Sequence, residues 1–320
     1  MKITKRLFVK LAGATALAGA LAGPAAAWEP TKPVDFVIMA GAGGGADQIA
    51  RFLQSVAEKK DLMNRPLVPN NKGGGSGAEA LIALNTSRDP DHTILVTLNS
   101  FFTTPLRQEN LGIDVMTFSP VAMMGVDPFI LWVHKDSGIT TFEEWLEEVK
   151  KGGYVMGGTG KGQEDSLVIT YLEQAFDLDI KYIPYKGGGD VAKDLAGKQV
   201  MATVNNPSET KGFYANGDVV PLLSFSDERM EAFPDVPTLK EKGADFSYYN
   251  QRAVVGAPGQ SDEAAAYYQD LFETIYETEE WQNYMDTESI SPLWLSPEEQ
   301  KDYWATQVER HKELLAAMGE

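Results

Sequence analysis

The stretch Val34-Asp35-Phe36-Val37-Ile38-Met39-Ala40-Gly41-Ala42-Gly43-Gly44-Gly45-Ala46-Asp47 decides the fold. Its first seven residues are almost continuously apolar, the mark of a strand buried on both faces. Glycines follow, and then Ile49, Phe52, Leu53 and Val56 recur at helical spacing across 47–60. Strand, loop and helix in this order open a parallel α/β unit. The glycine loop would present bare backbone N–H groups at a helix N-terminus, where roughly half a positive charge resides. A tight turn needing positive φ explains the same glycines, so taken alone the loop supports either reading.

The pattern recurs along the chain. Apolar runs at 66–68, 93–98, 130–134, 154–156, 180–185, 199–204 and 219–225 are followed or separated by amphipathic helical stretches. An α/β fold of two lobes is predicted, each a mainly parallel sheet flanked by helices. The second half repeats the architecture of the first. Extended segments at 121–133 and 246–255 are the expected crossings, giving one lobe from 28–126 with 250–320 and another from 127–249. Ser296, Pro297 and Glu299 form a capping box that opens a long helix toward Met318.

Bulk composition narrows the function. Residues 1–27 read as a secretory leader, with Lys2, Lys5, Arg6 and Lys10 before a short apolar run and Ala25-Ala26-Ala27 at its end. Export to the periplasm is expected. The chain has no cysteine, which removes disulfides, thiolate metal sites, cysteine nucleophiles and a lipoprotein anchor. Loss of the four leader cations would take the formal charge from −18 to −22. So acidic a chain is no partner for nucleic acid or an anionic membrane surface. Adaptation to salt and ordinary solvated helix faces both account for the acidity.

Catalytic constellations are lacking. His92, His134 and His311 are far apart and without metal-ligand spacing. No serine stands in a nucleophile elbow, and the adjacent Glu164 and Asp165 read as acids favoured by a helix start. No catalytic residue, metal or cofactor is expected. Gly41, Gly43 and Ala46 satisfy the dinucleotide fingerprint with Asp61 downstream, but an exported protein is removed from nicotinamide pools. Glycine clusters at 73–77, 157–162 and 187–189, accompanied by Lys72, Lys161 and Lys186, also precede predicted helices. Several helix N-termini are thus expected to converge on one cleft. Asn99-Ser100-Phe101-Phe102-Thr103-Thr104 would add polar groups beside aromatic surface.

Several motifs in shared order resemble the tripartite tricarboxylate transporter receptors, the Bug family of solute-binding proteins. They are Ala42-Gly43-Gly44-Gly45-Ala46-Asp47 with Ala50-Arg51, Asn71-Lys72-Gly73-Gly74-Gly75, Pro184-Tyr185-Lys186-Gly187, the segment 195–200, and Pro234-Asp235-Val236-Pro237-Thr238. The resemblance implies a Venus-flytrap fold, a small organic carboxylate between the lobes, and delivery to the membrane subunits of a secondary transporter. It assigns ligand contacts to the first loop, to Thr159, Gly160, Lys161, Gly162, Gln163, Asp165 and Ser166, and to Asn205 and Arg252, while Asn99, Ser100 and Phe101 are expected contacts from the residues of their own loop. Two departures stand out. Gln163, Glu164 and Asp165 replace small hydroxylated residues, and Gln251-Arg252-Ala253 stands where many relatives carry Trp-Arg-Gly. Arg252 is the expected carboxylate clamp, with pairing to a hinge acid as the alternative. Asn205 either lines the pocket or supports the turn before Pro207. The expected receptor is a monomer; the competing readings are an exported sensor module and a nucleotide-dependent enzyme.

Overall fold

The computed structural model describes residues 28–319, so the leader expected over 1–27 lies outside the described residues. The chain runs β1 (Val34–Ile38), α1 (Gly45–Lys59), β2 (Leu67–Asn71), α2 (Ala78–Asn85), β3 (Thr93–Thr97), α3 (Ser100–Arg107) and β4 (Ser119–Pro128). It continues through β5 (Ile130–His134), α4 (Phe142–Val149), β6 (Tyr154–Gly158), α5 (Glu164–Phe176), β7 (Ile180–Pro184), α6 (Gly188–Ala196), β8 (Ala202–Asn205), α7 (Pro207–Ala215) and β9 (Val219–Ser224). It returns with β10 (Tyr249–Gly256), α8 (Asp262–Tyr276), α9 (Glu279–Glu288) and α10 (Pro297–Ala317).

Two five-stranded sheets result, ordered β2-β1-β3-β10-β4 and β7-β6-β8-β5-β9. In each, one strand runs against the rest, and it occupies the fourth place: β10 is antiparallel to β3 and β4, and β5 to β8 and β9. These are the strands that enter each sheet from the other one. β4 passes to β5 through the single residue Phe129, and the chain returns from β9 to β10 across 225–248. We call the unit around the first sheet lobe 1 and that around the second lobe 2.

The unbroken apolar runs are explained by covering on both faces. In β1, Val34, Phe36 and Ile38 pack with Ile49, Leu53 and Val56 of α1 and Phe272 of α8, while Val37 faces Leu81, Phe101 and Trp304 on the other side. In β5, Leu131 and Val133 join Trp145 and Leu172, and Ile130 and Trp132 join Leu195 and Phe233. Such strands cannot alternate apolar with polar residues, because neither face meets water. Helix α10 ties the lobes together. Its His311 is buried against Tyr248, with 2.9 Å between Nε2 and the phenol oxygen, and burial pushes the imidazole down to about 4, so the ring is neutral at pH 7.

Candidate functional site

A cavity of about 30 Å³ lies between the lobes at the carboxyl ends of the strands. Open α/β sheets bind ligands at this edge. Lobe 1 contributes Ala40, Gly44, Gly45 and Ala46 around the start of α1, Leu98 after β3, and Asn250 and Arg252 from β10. Lobe 2 contributes Phe129, then Thr159, Gln163, Glu164 and Asp165 around the start of α5, Lys186, Gly187 and Gly188 at α6, and Asn205, Asn206 and Glu209 at α7. Four helices therefore begin on the cavity wall. Their N-cap residues, Gly44, Gln163, Gly187 and Asn206, make no side-chain cap. Each helix start carries N–H groups without an intrahelical partner and a share of the helix dipole, so anions are favoured here.

Glycine is used where the lobes touch. A Cβ on Gly41 would lie 3.0 Å from the Lys186 carbonyl oxygen, and one on Gly189 only 2.7 Å from the Gly43 carbonyl oxygen. A Cβ on Gly45 would lie 2.5 Å from Nη2 of Arg252. Side chains at these positions would prop the two backbones apart or displace the guanidinium.

Acids surround the cavity. Arg252 donates through Nε (3.1 Å) and Nη2 to Oδ2 of Asp127, and through Nη2 to Oδ1 of Asn206 at 3.0 Å. The pair is almost wholly enclosed, with each side chain 1 % exposed. Burial lifts the Asp127 carboxyl to about 6 against the pull of the guanidinium, which leaves the pair ionised at neutral pH. Glu209 accepts from Gly45 N at 2.9 Å, and Glu164 accepts from Ser100 N. Burial pushes both glutamates up to about 7. Asp165 rises to about 6 by burial, opposed by its bonds from the Thr159 hydroxyl and N–H.

The residues expected from the sequence divide into three groups. Gly44, Gly45, Ala46, Thr159, Gln163, Asp165, Asn205 and Arg252 come together on the cavity wall. Asp47, Asn99, Ser100, Gly160, Lys161, Gly162 and Ser166 shape the surrounding loops. Asp47 staples its loop by accepting from Gly43 N, Arg51 Nε and Asn71 Nδ2. Asn99 binds β10 through the Tyr249 carbonyl and Gln251 N, and Lys161 and Gly162 offer carbonyls to Ser76, Arg107 and Thr103 of lobe 1. Ala42 and Gly43 lie off the wall. Phe101 is fully buried against Phe102, Phe118 and Trp304 in the lobe 1 core, facing away from the cavity. The 73–77 cluster also misses the wall: Gly73 packs against the Ala40–Gly41 backbone.

Glu209, Glu164, Asn206, Asn250 and Lys186 line the cavity without having been singled out as ligand residues. Glu164 was visible as an acid at a helix start. Glu209 had a comparable signal, standing third in a helix that begins with Pro207, as first-turn acids do. The dinucleotide reading fails on geometry. Asp61 follows the far end of α1, about 22 Å from Gly45 at helical rise, out of reach of a ribose held at the glycine loop.

A larger groove of about 760 Å³ runs beside Pro128 and Tyr249 between residues 226–232 and the end of α9. It is lined by Asp227, Glu228, Glu231 and Asp286 with Arg229, whose charge is matched by Glu241, and it receives a helix C-terminus instead of N-termini. An anion is disfavoured there on both counts. Among the described residues, no group of three or more histidines and carboxylates is placed to hold a metal ion, and no helix is long and apolar enough to cross a membrane.

Comparison with known proteins identifies the family and the fold. A Cupriavidus necator protein described as "UPF0065 protein in gbd 5'region" is 24 % identical over 323 residues, 98 % of each chain. The solved "periplasmic binding protein BugD" superposes with a TM-score of 0.86 at 25 % identity, covering 91 % of this chain and 98 % of that one. An R. palustris protein solved with adipate shares the fold, with a TM-score of 0.84 at 21 % identity over 91 % of this chain and 98 % of that one. Residues 49–319 match the family described as "Tripartite tricarboxylate transporter family receptor". The chain belongs to this family and is a solute-binding receptor, not an enzyme.

Proposed function

We propose that this receptor works in the periplasm, closing its two lobes around a small organic carboxylate and passing it to the membrane subunits of a tripartite transporter. One observation carries the reading: four helix N-termini without side-chain caps, one from lobe 1 and three from lobe 2, direct their backbone N–H donors at one interlobe cavity. Such donors are rigid and cost no rearrangement when an anion arrives. The family assignment and the adipate held by a structural relative point to the same class of ligand.

The test is a thermal-shift and calorimetric series that starts with adipate and extends to shorter dicarboxylates and to tricarboxylates. A ligand at 100 times its Kd adds about 2.7 kcal/mol of stability, which a melting curve resolves. Absence of any shift across the series at millimolar concentration would overturn the reading.

A further inference from the structure

Two lobe 1 helices, α1 and α3, begin at the cleft without a side-chain cap. Their first N–H groups are not bare. Gly45 N donates to Glu209 of α7, and Ser100 N donates to Glu164 of α5, so both acceptors reach across from lobe 2. Each carboxylate thus holds the position that suits a ligand's carboxylate, on a helix dipole and a backbone donor. The cavity beside them is small, about 30 Å³. A ligand carboxylate that reaches the same backbone donors has to displace these glutamates.

Charge leads to the same conclusion. The one arginine on the wall is already matched by Asp127. A dianion placed among Glu164, Asp165 and Glu209 would crowd like charges into an enclosed space, which is unfavourable unless some of them take up protons or move out. The side chains best placed to leave are the two that reach across the cleft, because parting the lobes breaks their contacts with lobe 1 at once.

We propose that Glu164 and Glu209 latch the lobes together when no ligand is bound and compete with the carboxylates of the ligand for the ends of α1 and α3. They set affinity by having to be displaced. The competition rests on the carboxylate reading above; the latch does not.

The experiment has two arms. In the first, small-angle scattering compares the ligand-free protein with the Glu164→Ala/Glu209→Ala variant, and the variant is expected to have the larger radius of gyration. Equal values would overturn the latch, whatever the ligand proves to be. In the second, adipate is titrated into the wild type and into Glu209→Gln, which keeps the shape and removes the charge. Binding is expected to tighten on the order of tenfold, since the like charge is gone and a neutral amide oxygen holds the Gly45 N–H less strongly than a carboxylate does. Unchanged or weaker binding would overturn the competition. If neither protein binds adipate or any other carboxylate, the carboxylate reading fails while the scattering arm still decides the latch. Native circular dichroism of Glu209→Gln shows that the fold is kept.

Discussion

Four helices that begin away from the cleft and four that begin on it are finished differently, although α2 also opens off the wall without a side-chain cap, at Gly77. Thr141, Ser261, Thr278 and Ser296 each accept a bond from the third backbone N–H of the helix they open, and Thr141 and Ser296 form full capping boxes. Gly44, Gln163, Gly187 and Asn206 open α1, α5, α6 and α7 on the cavity and cap nothing. A hydroxyl or carboxylate at an N-cap is worth about 1 kcal/mol over alanine, so leaving it out has a cost. It is left out where the donors face the ligand space. The lobes then divide the remaining work: lobe 1 presents glycine backbone, and lobe 2 brings acids to meet it.

The largest effect expected at this interface concerns Arg252. Its removal strands Asp127, which is 1 % exposed and already has one oxygen, Oδ1, without a partner. Breaking a buried ion pair from one side costs about 3–5 kcal/mol. Arg252→Ala should therefore lower the ligand-free melting temperature steeply. Arg252→Lys should recover only part, because one ammonium cannot replace two nitrogens on Asp127 and a contact to Asn206. Unchanged stability with lost adipate affinity would instead make Arg252 the ligand's clamp, its expected role from the sequence.

Next comes the glycine contact between lobes. Gly189→Ala places a methyl group 2.7 Å from the Gly43 carbonyl, across the cleft. Overpacking of this kind costs about 1–3 kcal/mol, here in the closed form, which weakens adipate about 10- to 100-fold. Because residue 189 lies in the first turn of α6, alanine should leave the circular dichroism native. A variant with wild-type affinity would show that the lobes close with more slack than this contact allows.

Acidity gives a smaller, graded effect. Glu209 faces Gly45 N of α1, Arg252 of β10, Asp127 of β4 and Asp165 of α5; Glu164 faces Ser100 N of α3 and Asp165. Burial raises both glutamates to about 7, and Asp127 and Asp165 to about 6. Groups raised in the closed form take up protons on closing. Their contribution is fully present below their ordinary values near 4 and is lost as pH rises through 6 and 7. The ligand-free protein should thus be more compact and melt higher at pH 6 than at pH 8. Surface acids held below their usual range, such as Glu144 and Glu299, act in the opposite sense, and only at lower pH. A flat response between pH 6 and 8 would place the cleft carboxylates in water.

What the sequence made legible was local. The 34–47 stretch, the recurring apolar runs and the capping box at Ser296 are each written within a few turns of chain, and each forms as expected. The fold follows from their order, since parallel connection leaves few arrangements. The chemistry of the cleft is written at long range. Glu209 meets Gly45 from 164 residues away, and Arg252 meets Asp127 from 125, so no spacing rule could pair them. Phe101 shows the converse limit. A loop of amide, hydroxyls and aromatics suggested a ligand surface, but the helix it starts turns the ring into the core, against Phe118 and Trp304. Side-chain direction depends on where a helix points, which only the packed structure provides.

The smallest effect tests the comparison most directly, by giving a cleft helix the cap it lacks. Gly44 has φ −75° and ψ 162°, extended backbone that serine adopts freely and that suits an N-cap. Its added Cβ would meet neighbours no closer than 3.4 Å. Serine for glycine at an N-cap gains only a few tenths of a kcal/mol, so Gly44→Ser should melt at the wild-type temperature or slightly above it. Adipate binding should weaken, because the new hydroxyl takes a donor from the start of α1 that the ligand would otherwise use. Ser296→Ala is the mirror experiment: it should lose about 1 kcal/mol of stability with affinity unchanged, since α10 opens away from the cavity. If stability and affinity move together in both variants, the absence of caps on the cleft helices has nothing to do with ligand. If they move apart, in opposite senses for the two variants, the bare helix starts are the binding surface itself.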